Sequence, residues 1–182
     1  MKKKYKIGAM EMSMGTIVTI VLLVSVLVMG IFFIQKISKS ATGVIDLTDQ
    51  QLRDQVNKLF SEDKEIVIYP GTRYLEIKQT TSDGIGLGIK NLGNADTFSY
   101  DVKATPGNNC PDSFKSEDAL NLISIGGTEE GIELEAGGFA YRKVLFDIPT
   151  GTPLCVVRFS LNVDSTSGRK FGDFFDVKIK AK

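Results

Sequence analysis

The stretch Leu154–Val163, LCVVRFSLNV, indicates the fold class most clearly, because every second residue in it is apolar. The residues on that side of an extended chain are Cys155, Val157, Phe159, Leu161 and Val163. Alternation of this kind is typical of a β-strand that buries one face and leaves the other in water. The preceding stretch Phe139–Ile148 alternates in the same way through Val144, Phe146 and Ile148, so two half-buried strands are predicted here.

The same period of two extends in both directions, from Glu65 to Lys182. Gly, Pro, Asn and Asp residues interrupt it at short intervals, as turns between strands require. The further predicted strands are Ile66–Tyr69, Arg73–Thr80, Gly84–Asn91, Phe98–Ala104, Leu122–Ile125, Ile132–Glu135 and Asp173–Lys180. This set of short alternating strands predicts a mainly β fold, a β-sandwich in which each of two sheets buries one face.

One predicted strand, Gly84–Asn91 (GIGLGIKN), contains glycines that alternate with isoleucine and leucine. It holds no G-x-x-x-x-G-K-[ST] sequence and does not precede a helix, so a phosphate-binding loop is not indicated. Glycine along one face of a strand is typical of a sheet on which another segment lies closely. We therefore expect this face to lie under a neighbouring backbone.

A short segment before the strands, Asp49–Phe60, has a helical period. Thr48 and Gln51 form the capping-box pattern, in which each side chain satisfies a free backbone N–H of the other residue. The apolar residues that fall on one face of this helix are Leu52, Val56, Leu59 and Phe60. Because acidic and basic residues are mixed on the remaining surface, we expect the apolar face to pack against the domain rather than the membrane.

The stretch Met12–Gln35, MSMGTIVTIVLLVSVLVMGIFFIQ, contains no charged residue and no proline. As an α-helix its roughly 24 residues would reach about 36 Å, enough to cross a hydrocarbon core of about 30 Å. Apolar residues occur all round this helix, which argues against a helix that lies on the membrane surface. A transmembrane helix is predicted over residues 12–37, with the lipid bilayer as its partner.

Lysines indicate the orientation of that helix. Four lysines precede it in MKKKYKIGAM, and only Lys36 and Lys39 follow it, so the N-terminus is predicted to be cytoplasmic and the C-terminal domain extracytoplasmic. The chain then divides into a basic arm (1–11), the span (12–37), a linker with the amphipathic helix (38–64) and the sandwich (65–182). A cleaved signal peptide is the alternative, with ISKSATG at 37–43 as its candidate cleavage segment.

The composition bears on function. Histidine and tryptophan are absent, so the commonest general base and transition-metal ligand is missing. Two cysteines are too few for a four-cysteine zinc site or an iron–sulfur cluster. Beyond residue 40 the chain is mildly acidic and has no basic cluster, which argues against nucleic acid as a partner. We expect a protein that is not an enzyme and that carries no cofactor or metal.

Cys110 lies in the predicted loop GNNCPDS, and Cys155 lies at the start of a predicted strand. Two cysteines in an extracytoplasmic domain most often form a disulfide. On the chain-entropy view, closing a loop of this length would stabilise the fold by roughly 4 kcal/mol. The alternative is a buried Cys155 and a free, exposed Cys110.

Several acidic residues fall in predicted loops, where carboxylates could in principle coordinate Ca²⁺. None of them follows the D-x-[DN]-x-[DN]-G spacing that wraps such a cation, so solvated loop charges are the better interpretation. These residues are Asp112, Glu117, Asp118, Glu129 and Glu130.

The segment KIGAME, residues 6–11, places a short basic leader and Gly8 directly before the apolar helix. It resembles the class III signal segments of archaeal and bacterial type IV pilins. The resemblance implies cleavage between Gly8 and Ala9 on the cytoplasmic side, followed by packing of the apolar helices into a filament core. The glutamate usual in that family lies further from the cut than Glu11 does, so Glu11 is interpreted as an interfacial carboxylate.

Two longer stretches, IGLGIKNLGNADTFSYDVKA (85–104) and GIELEAGGFAYRKVLFDIPTGTPLCVVRFSLNVD (131–164), resemble an Ig-like sandwich of the CARDB (cell-adhesion-related) and archaeal surface-protein type. The resemblance covers residues 65–182 and implies an adhesion or spacer module at the cell surface, in contact with other surface or filament proteins. A basic arm, one span and a sandwich is also the plan of archaeal pilins and of archaellum stator subunits, which is the alternative function.

Overall fold

The structure is a computed structural model that describes residues 8–39, 44, 48–60 and 63–182. The chain divides into two compact units, residues 1–42 and residues 43–182. Residues 1–7, which hold most of the predicted basic arm, lie outside the described residues. So does most of the predicted linker.

The first unit contains one helix, α1 (Gly8–Lys39), whose side chains are described from Gly15 to Ile31. All seventeen of these residues are exposed within the chain. Over the described residues, the structure has no helix that meets the length and hydropathy needed to cross a membrane. The predicted span, residues 12–37, extends past the described side chains at both ends.

The described residues of the second unit form two further α-helices and nine strands. The helices are α2 (Asp49–Leu59) and α3 (Ser116–Leu120). The strands are β1 (Ile66–Tyr69), β2 (Tyr74–Lys78), β3 (Ser82–Lys90), β4 (Asp96–Pro106), β5 (Ile123–Ile125), β6 (Thr128–Leu134), β7 (Phe139–Asp147), β8 (Val156–Ser165) and β9 (Lys170–Lys180). Each predicted strand coincides with one of these elements to within a few residues.

The strands form two sheets. The first sheet has the order β1-β3-β7-β5, and the second sheet has the order β2-β9-β8-β4-β6. All neighbours are antiparallel except β2 and β9, which run parallel with Tyr74 opposite Asp176 and Lys78 opposite Lys180. The predicted mainly β fold with two sheets is confirmed.

The core lies between the two sheets and is built from the alternating apolar residues of both. Phe146 of β7 meets Phe159 of β8 and Phe175 of β9, with ring centroids 4.9 and 5.9 Å apart. All three rings are fully buried. Since Phe146 belongs to the first sheet and the other two belong to the second, these contacts join the sheets through the middle of the sandwich.

Helix α2 begins as the capping-box pattern predicts. The Thr48 N–H donates to the side-chain oxygen of Gln51 at 3.0 Å, and the Gln51 N–H donates to the Thr48 hydroxyl at 3.3 Å. Leu52 and Val56 are buried in a cluster that also contains Val67 of β1. The apolar face of α2 therefore packs against the first sheet, as predicted.

The glycines of β3 explain how closely α2 lies on that sheet. A Cβ atom at Gly86 would lie 2.3 Å from Cδ1 of Leu52, and one at Gly88 would lie 2.4 Å from Cγ1 of Val56. A side chain at either position would require the contacting side chains of α2, or the helix itself, to shift. The face lies under α2, and the atoms nearest the glycines belong to side chains of that helix rather than to the neighbouring backbone that the sequence predicts.

Candidate functional site

The predicted disulfide is present. Cys110 and Cys155 are joined with a Cα–Cα distance of 5.0 Å. The bond ties the loop after β4 to the residue directly before β8. The alternative of a buried Cys155 beside a free Cys110 is wrong.

The same loop is also held through its backbone. The Gly107 N–H donates to the carbonyl oxygen of Val156 at 2.9 Å, and the Val156 N–H donates to the side-chain oxygen of Asn109 at 3.2 Å. A Cβ atom at Gly107 would lie 2.6 Å from the Val156 carbonyl oxygen, so the close approach requires glycine here. The loop therefore continues the pairing of β4 with β8 up to the disulfide.

Helix α3 lies within the segment 105–121, where the sequence pattern predicts only a loop. Its Ala119 is fully buried, and Phe114 and Leu120 pack on the core. Beside α3 is an open depression of about 360 Å³, whose lining residues include Asn108, Asp112 and Lys115. Because the depression is shallow, water reaches each of these polar groups, and the site lacks the enclosed walls typical of a small-molecule pocket.

Of the five acidic residues predicted to lie in loops, only Asp112 does; Glu117 and Asp118 lie in α3, and Glu129 and Glu130 lie in β6. Asp118 accepts the Lys115 N–H at 2.8 Å and so begins α3, while Glu129 pairs with Arg142. Asp112, Glu117 and Glu130 are exposed. Within the described ranges, no three carboxylate, cysteine or histidine side chains are grouped as metal ligands would be.

A polar bridge that the sequence analysis missed joins the two sheets along one side. Arg142 of β7 donates two hydrogen bonds to Glu129 of β6, at 2.5 and 2.6 Å. Beside it, the Tyr100 hydroxyl donates to the Gly126 carbonyl oxygen at 3.1 Å, and burial raises the pKa of Tyr100 to about 12. Every polar group here has a partner within the protein, so the cluster is structural.

A second polar cluster, also missed, surrounds Arg169 at one end of the sandwich. Arg169 donates to Glu65 at 2.9 Å and to the buried Asn91 at 2.7 Å, and it stacks over the Phe98 ring. Asp96 lies 3.6 Å from the same guanidinium. Hydrogen bonds from Ser167 and then Thr166 hold the pKa of Asp96 well below its usual range. This cluster fixes the turn after β3 against the β8–β9 hairpin.

No helix of the described residues lies on the outer face of the second sheet, and we call this the open face. It is defined by Tyr74, Lys103, Arg158, Asn162, Phe174 and Asp176. Arg158 donates two hydrogen bonds to Asp176 at 2.8 and 2.9 Å and stacks over Phe174 at 4.4 Å. The open face is thus a ladder of charges paired across strands, with two aromatic rings that are 41% exposed.

The residues of the predicted leader cleavage are Gly8 and Ala9. Gly8 is the first residue of α1 and Ala9 the second. The side chains of both, and the whole leader before them, lie outside the described residues.

No protein-family model matches the chain, and no curated protein matches it in sequence. Among solved structures, it is similar to a family 123 glycoside hydrolase from Clostridium perfringens, with a TM-score of 0.45 and 10% identity, covering 60% of this chain and 22% of that chain. The chain is also similar to a Niemann-Pick type C2 protein from the Japanese carpenter ant, with a TM-score of 0.39 and 14% identity; the match covers 64% of this chain and 90% of that protein. The chain spans about a fifth of the length of the glycoside hydrolase. Likenesses at this level carry no argument about this chain.

Proposed function

We propose that this chain is a single-pass membrane protein with a cytoplasmic N-terminus, and that its sandwich is Ig-like and lies outside the cell. There it makes adhesive or structural contacts with other proteins. The observation that carries the proposal is the surface of α1. Twelve large apolar side chains between Ile17 and Ile31 are each 47–68% exposed. Such a surface is unfavourable in water and favourable in lipid.

The polar groups of α1 fit the same environment. The Thr19 hydroxyl donates to the Gly15 carbonyl oxygen at 2.8 Å, and the Ser25 hydroxyl donates to the Val21 carbonyl oxygen at 2.7 Å. A hydroxyl that bonds within its own helix leaves no donor unsatisfied in hydrocarbon.

The second unit supports a location outside the cell and an Ig-like arrangement. The disulfide between Cys110 and Cys155 is typical of an oxidising compartment. The sheet order supports the Ig-like part of the proposal: a four-stranded sheet packs on a sheet in which β9, β8 and β4 are neighbours, as four strands face three in the constant-type immunoglobulin plan, and β2 and β6 extend the second sheet to five strands.

Membrane extraction tests the anchor. The full chain is expected to remain in the membrane pellet at alkaline pH and to be released by detergent. The double variant Leu23→Lys/Leu27→Lys should lose this retention, because each lysine at the centre of a span costs about 3 kcal/mol. The matched control Leu23→Ile/Leu27→Ile should be retained like the parent chain. Equal retention of the lysine variant would contradict the proposal.

Protease treatment of intact cells tests the orientation. The sandwich should be cleaved or labelled from outside, whereas the N-terminal lysines should be protected until the membrane is opened. The opposite pattern would overturn the orientation and the surface role together.

The alternative function is a subunit of a filament or its motor, pilin-like or stator-like. It is favoured by the continuity of α1, whose 32 residues begin at Gly8, the position where the leader would be cut. Intact-mass measurement of the membrane-extracted chain separates the two functions. Loss of residues 1–8 supports the pilin-like function, and a retained leader supports the simple anchor.

A further inference from the structure

The second sheet has two open edges. Its order places β2 at one side and β6 at the other, and no described segment pairs with the outer edge of either strand. An unpaired edge presents backbone N–H and C=O groups that another strand can bind. The two edges carry opposite charge, and this difference indicates which partner would bind them.

The β6 edge is acidic. Glu130 and Glu133 are exposed on the strand, and Glu135 is exposed directly after it. In the part of the chain that the structure describes, no ion pair involves any of the three. Glu129 differs from them, because it pairs with Arg142 across the sandwich.

The β2 edge is basic. Lys78 ends β2, and Lys178 and Lys180 stand beside it on β9. One carboxylate, that of Glu76, faces these three lysines: it contacts Lys180 and lies 3.9 Å from Lys178. Lys78 is exposed, and no ion pair within the described ranges involves it.

The strand directions make the two edges compatible. β2 is parallel to β9, and each later neighbour in the order reverses direction, so β6 runs opposite to β2. If a second copy is placed beside the first in the same orientation, its β2 lies antiparallel to β6 of the first. Such a contact continues the antiparallel pairing of β9, β8, β4 and β6 into the next molecule.

We propose that the partner of this surface is a second copy of the chain, with the β6 edge of one copy docked on the β2 edge of the next. Two β6 edges repel each other and two β2 edges repel each other, so only unlike edges meet. A contact between two different surfaces of one protein leaves one of each surface free on every pair, so it repeats from copy to copy and forms an open row unless the rotation between copies closes a ring.

The direction of that repeat follows from the pairing within the sheet. Thr128, the first residue of β6, pairs with Asp101 of β4, and Asp101 pairs with Asn162 of β8. Asn162 in turn pairs with Gly172 of β9, so β6 begins at the height of Gly172, near the start of β9. β2 pairs with the far end of β9, at Asp176–Lys180. Each copy must therefore be displaced lengthwise along the strands relative to the last, which produces a stepped row. The inference rests on the filament-subunit function and names the contact that would build the row.

Charge reversal in the full chain tests the contact. The variants are Glu130→Lys/Glu133→Lys and Lys78→Glu/Lys178→Glu, and the readout is the mass of the detergent-solubilised chain at low and high salt. The parent chain should associate at low salt and dissociate at high salt, because exposed charges are screened. Each edge variant alone should associate at least about tenfold more weakly, since it sets like charges against each other.

Recovery of association in combined variants would identify which two edges meet. The two edge variants mixed together should associate again, and so should a single chain that carries all four substitutions. The matched controls are Lys103→Glu/Lys170→Glu and Asp112→Lys/Glu117→Lys, which reverse exposed charges away from both edges and should behave like the parent. Retention of the disulfide and an unchanged circular dichroism spectrum establish that each variant is folded.

Three results would overturn the proposal: a parent chain that is monomeric at low salt, edge variants that associate like the parent, or the absence of rescue in the mixture. Membrane extraction of the same samples keeps the two conclusions apart. A chain that is retained in the membrane but never associates refutes this contact and leaves the anchor standing.

Discussion

The outer faces of the two sheets differ in what covers them: a helix packs on the first, whereas charged side chains in water cover the second. The first sheet carries glycines on β3, and α2 lies directly on them, with Leu52 and Val56 filling the space that side chains would occupy. The open face of the second sheet instead carries long charged side chains that pair with each other, such as Arg158 with Asp176. The covered face depends on burial and the open face on solvated ion pairs, so substitutions on the two faces should differ greatly in their effect.

Val56→Asp should have the largest effect. Val56 is fully buried between α2 and the first sheet, and an aspartate there would place a carboxylate in a cluster of apolar side chains. We expect a loss of at least about 2 kcal/mol in the free energy of unfolding, the lower end for an unpaired buried polar group. Denaturant unfolding of the full chain in detergent measures it. The control Ser160→Asp, on the half-buried outer side of β8, should cost much less; equal losses would mean that α2 is not docked as described.

Gly88→Ala should have the second largest effect on stability. The added methyl group would lie 2.4 Å from Val56 Cγ1 and 2.8 Å from the Phe60 ring, so these side chains, or α2 with them, must shift. Overpacking of this kind typically costs about 1–3 kcal/mol. The measurement is the midpoint of thermal unfolding, with Ser99→Ala on the second sheet as the control. An alanine that leaves the midpoint unchanged would contradict the close contact between helix and sheet.

Acid titration tests the polar groups of the second sheet. Because hydrogen bonds lower the pKa of Asp96 in the folded state, its contribution to stability is present above the ordinary aspartate pKa of 3.8 and is lost as the pH falls below it. Stability measured from neutral pH down to pH ~3 should therefore fall less steeply in Asp96→Asn than in the parent. A parallel fall in both proteins would show that Asp96 does not contribute in this way.

Arg158→Ala should have the smallest effect. Arg158 is exposed on the open face, where water already solvates its charge and that of Asp176. We expect a thermal midpoint close to that of the parent and clearly above that of Gly88→Ala. A drop as large as that of Gly88→Ala would remove the distinction between the two faces.

Most of the fold could be predicted because its signals are local. Alternation from Ile66 to Ile179 reports which side of each strand is buried, and the capping pair Thr48 and Gln51 lies within one helical turn. The disulfide was also predictable, since Cys110 and Cys155 are the chain's only two cysteines.

The parts that were missed depend on contacts between distant residues. Arg169 reaches Asn91, 78 positions away; Asn91 ends a predicted strand, Arg169 lies outside every predicted strand, and no local pattern links the two. Helix α3 has five residues, too few to establish a helical period. The parallel pairing of β2 with β9 depends on how the chain crosses between the sheets, which alternation does not encode.

The parallel pair β2 and β9 has a mechanical consequence. The chain enters β2 at Tyr74 and leaves β9 at Lys180, at the opposite end of the pair. Tension applied between the start of β2 and the C-terminus would pull these two strands in opposite directions along their length. The residue pairs from Tyr74–Asp176 to Lys78–Lys180 would then be loaded together in shear, instead of separating one pair at a time.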